Sequence, residues 1–467
     1  MSVRVKRKDE NRKRRTRGHA ATALAVTPAR RAAFEILRRV EEEGAFASVL
    51  LAAGVEELSA QDRALCYELV LGVLRRKLWL DRLIEYYARR SSESLDAPVG
   101  RALRLGLYQL RFLSRIPDSA AVNEAVKLVR LAKVGSAASF VNAVLRRATR
   151  EPDYDPVAAI SDPFERLAVE TSHPVWLIER WAKAFGREDA EAFARSNNES
   201  PPIAFRIVPK GGDEGLAVLN QLRAAGGVLE ASRVAPDAWR IEGATASLRQ
   251  LAQDGHIYLQ DEASQLVAHV LDARSGQRVL DVCAAPGSKT THIASLTPDA
   301  SLILAGDLYE HRLRTLREAS ARTVGTNLVR AVAFDAAAAA LPLSEASFDR
   351  VLVDAPCTGT GTLRRNPEIR WRITARGIED LSVRQRHILF NASKMVRPGG
   401  RLVYSTCSVE REENEEVVAS FLNQNRVFEQ NLPTLLAPFE SVSGAARTWP
   451  QREGADGFFI AVFERRS

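Results

Sequence analysis

The feature that most constrains this 467-residue chain is a repeated alternation of apolar strands and helices in its second half. Each candidate strand is rich in Val, Leu or Ile, and segments with helical periodicity separate most of the strands. The strands are "RVLDVC" (278–283), "SLILAGD" (301–307), "LVRAVAFD" (328–335), "RVLVDAP" (350–356) and "RLVYSTC" (401–407). This alternation predicts an α/β domain over 256–467 whose parallel sheet is covered by helices on both faces.

The rest of the chain predicts three further parts. Residues 25–150 have apolar residues at helical spacing and little Pro or Gly, which indicates an all-helical bundle. Residues 151–255 mix helical segments with short strands such as "PPIAFRIVP" (201–209), which indicates a small α+β module. Residues 1–24 form a basic, disordered tail, because nine Lys or Arg against two acids give it +7 of the net charge of +8. Such a tail is either a solvated arm or a contact for a polyanion.

Cysteine usage and hydropathy exclude several classes of protein. The four cysteines include no C-x-x-C pair and follow no secretion signal, so neither a disulfide framework nor a zinc ribbon is expected. No stretch reaches the ~18 apolar residues that a membrane helix needs. We therefore expect a cytoplasmic protein with reduced thiols, no metal and no membrane partner.

Chemically active residues end the predicted strands. Ligands of open parallel sheets bind outside the carboxyl ends of the strands, so these residues are expected to converge. They are Asp281–Cys283, Asp307, Asp335, Asp354–Cys357 and Thr406–Cys407.

The segment "DVCAAPGSKTTH" (281–292) is predicted to be a strand, a tight turn and the start of a helix. It has neither G-x-G-x-x-G nor the phosphate-loop pattern, so a dinucleotide or a nucleoside triphosphate is not favoured. Backbone N–H groups at a helix start suit a carboxylate, such as the methionine end of S-adenosylmethionine, although a purely structural turn fits the spacing too. Asp307 would then accept hydrogen bonds from ribose hydroxyls, and Asp335 from the amino group of an adenine.

The thiols at two strand ends suit one particular reaction. Carbon 5 of cytosine becomes able to accept a methyl group when a thiolate adds to carbon 6, which requires one nucleophilic cysteine. Asp354 could hydrogen-bond the ring nitrogen edge and favour the attack. Spacing leaves open whether Cys357 or Cys407 attacks, and either could instead be a small buried hydrophobe.

At these residues the chain resembles the bacterial RsmB/Sun (Fmu) ribosomal RNA cytosine-5 methyltransferases. The motifs that carry the resemblance occur in the family's order: "DVCAAPGSKT", "DAPCTGTGTLRRNPEIRW", "LVYSTCSVEREENE" and "DGFFIAVFE" (456–464). The helical part is similar to the RNA-binding antitermination factor NusB, through "AVNEAVKLVRLAK" (121–133) and "FVNAVLRR" (140–147). The resemblance implies a NusB-like helical domain, a middle module and a Rossmann-like, S-adenosylmethionine-dependent methyltransferase domain.

The resemblance also implies residue roles. Cys407 would be the nucleophile, Cys357 would help in proton removal and product release, and Asp354 would orient the base near the cofactor. Ser288 departs from the glycine usual in the family, and a modest adjustment is expected there. The implied cofactor-binding residues are Cys283, Ala284, Ala285, Pro286, Gly287, Ser288, Lys289, Asp307, Asp335 and Asp354.

The loop "LRRNPEIRW" (363–371) and the residue after it predict contacts with RNA. Arginine suits phosphates and tryptophan suits base stacking, although a Trp packed beneath a solvated loop is the alternative. The candidates are Arg364, Arg365, Arg370, Trp371 and Arg372.

The expected activity is methylation of carbon 5 of a cytosine in small-subunit (16S) ribosomal RNA, naked or incompletely assembled, by a monomeric enzyme. The target base must leave its stack, so unpaired RNA is the accessible form. Two alternatives remain: a transfer RNA cytosine-5 methyltransferase, and a non-catalytic RNA-binding factor for ribosome assembly.

Overall fold

The computed structural model describes residues 26–209, 213–325, 327–441 and 444–467. The predicted basic tail at 1–24 lies outside these residues. The chain forms two compact units. The first is the described part of Met1–Asn198 together with Asn366–Trp371, and the second is Glu199–Arg365 with Arg372–Ser467.

The first unit is helical. Its described α-helices are α1 (Pro28–Glu42), α2 (Ala47–Gly54), α3 (Ala60–Arg75), α4 (Lys77–Ala88), α5 (Ala97–Phe112), α6 (Asp118–Leu131), α7 (Ala138–Arg150), α8 (Pro163–Thr171), α9 (Val175–Phe185) and α10 (Arg187–Ser196). Apolar faces from α1 to α7 form one core, in which Cys66 is buried. Ser59 is the N-cap of α3, because its side chain accepts a hydrogen bond from the backbone N–H of Asp62. The predicted helical bundle is confirmed.

A four-stranded antiparallel sheet opens the second unit, in the order β2-β3-β1-β4. Its strands are β1 (Ile203–Ile207), β2 (Val228–Ala231), β3 (Ala238–Glu242) and β4 (Ile257–Leu259), and its helices are α11 (Glu214–Ala224) and α12 (Thr245–Gln253). Phe205 and Ile241 pack with apolar residues of α11 and α12 in a small core. On the other face, the buried Arg206 donates to Gln260 and to Thr291.

The predicted module at 151–255 stays a prediction, and its elements divide between the two compact units. By their contacts, α8–α10 belong to the helical unit. Strand β4 lies beyond the predicted boundary at residue 255, yet it pairs with β1 and completes the smaller sheet. This three-residue strand is not among the strands that the sequence pattern predicts.

The large sheet of the second unit has the order β10-β12-β9-β8-β5-β6-β7, with β11 paired to β12. Its strands are β5 (Arg278–Asp281), β6 (Leu302–Asp307), β7 (Val329–Ala333), β8 (Phe348–Asp354), β9 (Val396–Thr406), β10 (Phe428–Asn431), β11 (Ala446–Arg447) and β12 (Phe459–Arg465). Its α-helices are α13 (Glu262–Leu271), α14 (Ser288–Leu296), α15 (Glu310–Thr323), α16 (Ala375–Met395), α17 (Glu415–Gln424) and α18 (Pro450–Glu453).

Both faces of this sheet are buried, which explains the apolar runs of the sequence. Val279 and Ile303 pack with α13–α15 on one face, whereas Leu280 and Leu304 join the core that includes α16 and α17 on the other. The five predicted strands are confirmed, and β5–β9 run parallel. The sheet is mixed rather than parallel, because β12 is antiparallel to both β9 and β10. Within the described residues, every helix is too short or too polar to cross a bilayer.

Candidate active site

The site lies at the carboxyl edge of the large sheet. Strand β5 pairs with β6 on one side and with β8 on the other, so the strand order reverses at β5. Crevices at such a reversal are the usual ligand sites of open α/β sheets. The predicted loop, acids and thiols all follow strands at this edge.

The loop after β5 is held by the strands beside it. The backbone N–H of Val282 donates to Leu352 O on β8, and that of Ala284 donates to Gly306 O on β6. Gly287 directly precedes α14 and has φ +108°, where a Cβ would also crowd the backbone and side chain of Leu316. The loop therefore presents its backbone and the first turn of α14 at the sheet edge.

Two of the predicted cofactor acids have defined partners in the protein. Asp307 accepts from the backbone N–H of Tyr309 at 3.1 Å and pairs with Arg312, also at 3.1 Å. Asp335 lies two residues beyond β7 and pairs with Arg384 at 2.7 Å. Neither arginine belongs to a motif that predicted the site.

Asp281, at the end of β5, is buried beneath the loop and accepts a hydrogen bond from Thr290 Oγ1 at 2.7 Å. Its Oδ1 is buried and meets no donor among the described residues. An orphaned carboxylate oxygen at the loop suits a bound group that carries an N–H or O–H donor, so the residues here fit S-adenosylmethionine. Burial raises the pKa of Asp281 to about 7, and nearby Asp354 adds to this effect.

The Asp281→Asn variant is expected to change how stability depends on pH. The ordinary pKa of this carboxyl is 3.8, so between that value and about 7 the folded state holds a proton that the unfolded chain has lost. The contribution of this group to stability is therefore present at low pH and is lost as the pH rises toward 7. Thermal melting should show the variant gaining stability relative to wild type from about pH 5 to about pH 8. A difference in melting temperature between variant and wild type that stays constant over this pH range would contradict the raised pKa of Asp281.

The two thiols predicted to act together are neighbours. Cys357 Sγ and Cys407 Sγ, in the loops after β8 and β9, are 3.3 Å apart, and both side chains are half-buried. Gly361 N donates to Cys407 O at 2.9 Å, which joins the two loops. Residue 361 must be glycine, because a Cβ there would lie 1.9 Å from Gly457 O. The hydrogen bond with Cys407, together with burial, raises the pKa of the Cys357 thiol well above its ordinary value.

An ion pair lies beside the thiols. Lys289 Nζ is 2.7 Å from Asp354 Oδ2, and Ser405 Oγ donates to Asp354 Oδ1 at 2.9 Å. Although burial disfavours the charged ammonium, Asp354 and, to a smaller extent, Cys407 raise the pKa of Lys289. The ammonium of Lys289, from the loop after β5, therefore compensates the charge of the Asp354 carboxylate.

Cys283 is the third thiol among the predicted strand-end residues. Burial, followed by the charges of Asp281, Asp354 and Asp307, raises the pKa of Cys283 well above its ordinary value. A thiol that keeps its proton is a poor nucleophile, so a binding role suits Cys283 better than attack.

The predicted RNA-binding loop is mostly internal. Arg364 is buried and donates to Gly454 O at 2.9 Å, and Arg365 pairs with Asp456 at 2.7 Å and with Asp261 at 2.9 Å. Arg370, in the first unit, is 0% exposed. RNA contact by Arg364 and Arg370 therefore conflicts with their burial, since their guanidinium groups satisfy protein acceptors.

The last two candidates for RNA contact, Trp371 and Arg372, differ in exposure. The ring of Trp371 is half-buried, with Lys77 Nζ 5.0 Å from its centroid, as the packed-Trp alternative requires. Arg372 is exposed, so it stays a candidate for RNA contact.

Replacing Arg370 by methionine is expected to destabilise the helical unit. Its guanidinium donates to Thr171 O at 3.0 Å, Ser172 O at 3.1 Å and Asn197 O at 3.3 Å. Methionine leaves these buried carbonyls unsatisfied, which should lower the free energy of unfolding by about 3 kcal/mol in a urea titration. The matched Arg372→Met variant, at an exposed position, should change it by less than about 0.5 kcal/mol. Equal losses of unfolding free energy in the two variants would argue against a stabilising role for the bonds from Arg370 to these carbonyls.

Comparisons with known proteins agree with this architecture. The family model described as 16S rRNA methyltransferase RsmB/F matches residues 268–464. The NusB family model matches residues 27–150, and the model of an RsmF/B-like, ferredoxin-like domain matches residues 173–247.

Individual relatives match over nearly the whole chain. A probable ribosomal RNA small subunit methyltransferase B of Bacillus subtilis (strain 168) is 37% identical, over 95% of this chain and 100% of its own length. A relative with the same name from Synechocystis sp. is 34% identical, over 94% of this chain and 99% of its own. The crystal structure of the protein PH0851 aligns with a TM-score of 0.81 at 29% identity, covering 94% of this chain and 99% of that one.

Proposed function

Because the chain belongs to the RsmB/F family of 16S rRNA methyltransferases, we propose that it methylates carbon 5 of a cytosine in small-subunit ribosomal RNA. The methyl donor is S-adenosylmethionine, which supplies an electrophilic methyl group on a sulfonium sulfur. The observation that carries the proposal is the pair of thiols 3.3 Å apart at the edge where the predicted cofactor loop lies. A single thiol would suit a buried hydrophobe, but two thiols at adjoining strand ends suit a base that must be attacked and then released.

In this proposal Cys407 attacks and Cys357 assists. The Sγ of Cys407 forms a bond to carbon 6 of the flipped-out cytosine, and the electron pair that shifts to carbon 5 takes the methyl group. The carbon 5 proton then passes to water through the sulfur of Cys357, which gives up its own proton as it takes the one from carbon 5. The electron pair of the broken carbon–hydrogen bond restores the carbon 5–carbon 6 double bond, and Cys407 is expelled as a thiolate. The raised pKa of Cys357 supports this division, because a protonated thiol is a poor nucleophile but can donate to the attacking sulfur.

Asp354 orients the base in this scheme. Its carboxylate is held by Lys289 on one oxygen and by Ser405 on the other, both within hydrogen-bonding distance. It comes three residues before Cys357, so one loop carries both the orienting group and the assisting thiol. A fixed carboxylate can accept a hydrogen bond from the exocyclic amino group of cytosine and so hold carbon 6 in line with Cys407.

The proposed cofactor site uses the loop and the acids around it. The backbone at the start of α14 would receive the carboxylate of S-adenosylmethionine, and Asp307 its ribose hydroxyls. The buried Oδ1 of Asp281 is available to a donor of the same ligand. The residues proposed to hold the cofactor are Cys283, Ala284, Ala285, Pro286, Gly287, Ser288, Lys289, Asp307, Asp335 and Asp354.

A labelled-methyl assay tests the proposal. The full-length protein would be incubated with labelled S-adenosylmethionine and, separately, with naked small-subunit RNA, assembled small subunits and transfer RNA. We expect incorporation into small-subunit RNA, with bisulfite sequencing locating the label at a 5-methylcytosine. Incorporation into transfer RNA alone would replace the proposed substrate, and RNA binding without any incorporation would favour a non-catalytic assembly factor.

A further inference from the structure

The acidic run after β9 contains a buried carboxylate for which the proposed reaction has no role. Glu413 is 0% exposed and lies in the short helical turn Arg411–Glu413. Its Oε1 accepts from Thr358 N at 2.9 Å and Gln385 Nε2 at 3.0 Å. Its Oε2 accepts from the hydroxyls of Thr358 and Ser408, each at 2.5 Å. All four bonds come from neutral donors, although a buried carboxylate is usually paired with a cation.

The partners of Glu413 are the immediate neighbours of the two thiols. Thr358 directly follows Cys357, and Ser408 directly follows Cys407. Gln385, which donates to Glu413, also donates to the carbonyl oxygen of Pro356, the residue before Cys357, at 2.9 Å. The loop of Cys357 is therefore held on both sides of the thiol.

Asn414, the residue after Glu413, holds the loop of Cys407 in the same way. Asn414 Oδ1 accepts from the Thr406 hydroxyl at 2.5 Å, and Asn414 Nδ2 donates to Ser408 O at 2.9 Å. Thr406 and Ser408 flank Cys407. Glu413 and Asn414 thus connect both cysteine loops to one turn of the backbone.

From these bonds we propose that Glu413 is a positioning residue that sets the separation of the Cys357 and Cys407 thiols. A carboxyl group suits this position, because it has two oxygens that together can serve four donors at once. The inference rests on the proposed function in one respect: the separation matters for catalysis only if both thiols act on the same base. Misplacing reacting groups by about 1 Å can cost about 100-fold in rate.

Three variants of the full-length protein separate positioning from general stability. Glu413→Ala removes all four acceptor contacts. Glu413→Gln keeps the shape, and its amide nitrogen can take the position of Oε2, where the Thr358 and Ser408 hydroxyls can rotate to accept. Glu416→Gln is the matched control, because Glu416 is exposed in the same acidic run.

Two readouts are needed. Dibromobimane becomes fluorescent when neighbouring thiols displace both of its bromines, so its rate of cross-linking reports the Cys357–Cys407 separation without any methylation. A Cys357→Ser protein gives the background rate. Glu413→Ala should cross-link about tenfold more slowly and lose about 100-fold in kcat, with an unchanged KM for S-adenosylmethionine. Glu413→Gln should recover most of both losses, and Glu416→Gln should match wild type.

The outcomes distinguish the two proposals. Wild-type kcat and cross-linking in Glu413→Ala would overturn the positioning role. So would a loss of kcat accompanied by weaker cofactor binding and a lower melting temperature, which indicates general damage. Glu413-dependent cross-linking in a protein that methylates no RNA would support the positioning role and contradict the proposed function. If Glu413→Ala does not fold, Ser408→Ala removes one donor to the carboxylate, and the same two readouts decide.

Discussion

Cys407→Ala is expected to abolish methylation and the covalent RNA adduct together, whereas Cys357→Ala is expected to accumulate the adduct. The nucleophile makes the carbon–sulfur bond, so without its sulfur neither the adduct nor the product can form. Without the assisting thiol the bond still forms but breaks slowly. Denaturing gel electrophoresis of labelled RNA after incubation with S-adenosylmethionine would detect the adduct as a shifted protein band.

The matched control for this pair is Cys66→Ala, because Cys66 is buried in the core of the helical unit and belongs to no strand end. It should methylate at the wild-type rate. An adduct that accumulates in Cys407→Ala and is absent from Cys357→Ala would exchange the two roles. Full methylation by both variants would remove covalent catalysis from the proposal.

Asp354→Ala is expected to lower kcat by about 100-fold, since a cytosine that is no longer held in line with Cys407 reacts slowly. The loss also frees Lys289, whose Nζ is 2.7 Å from Asp354 in a buried position, so part of the effect comes from an unpaired buried cation. The Asp354→Asn variant separates these effects, because its amide oxygen can still accept from Lys289 and its amide nitrogen can donate to the rotated Ser405 hydroxyl, but the side chain carries no charge. Single-turnover rates with saturating S-adenosylmethionine would measure both.

An exposed acid of the same domain provides the comparison. Asp380 lies on α16 with its side chain 71% exposed, and Asp380→Asn should leave the rate unchanged. If Asp354→Ala retains wild-type kcat and only its KM for the cofactor rises, the carboxylate acts in cofactor binding alone.

Much of the fold follows from residue patterns in the sequence. Strands buried on both faces must be apolar throughout, so β5, β6 and β8 stand out as runs of Val, Leu and Ile. The order of strands within the sheet does not follow from such runs. For that reason the antiparallel placement of β12 between β9 and β10, and the pairing of β4 with β1, were not predicted.

The sequence was sufficient to predict those site residues that follow the ends of strands. The closeness of Cys357 and Cys407 followed from two parallel strands that end at one edge, and the resemblance supplied their separate roles. The function of the acidic run after Cys407 was missed, because "REENEE" (411–416) is typical of a solvated surface segment. Its sequence contains no sign that Glu413 is buried. The burial of Arg370 was not predicted either, because arginines that serve buried carbonyls and arginines that contact phosphate look alike in a sequence.

The position of β12 has a consequence for the growing polypeptide. Translation produces β9, whose last residues lead to Cys407, well before Phe459–Arg465. Until those residues emerge, one side of β9 has open backbone N–H and C=O groups that another chain can pair with. A messenger truncated between the two strands would therefore yield an aggregating product rather than a weakened enzyme, and nascent chains at this stage need protection from one another.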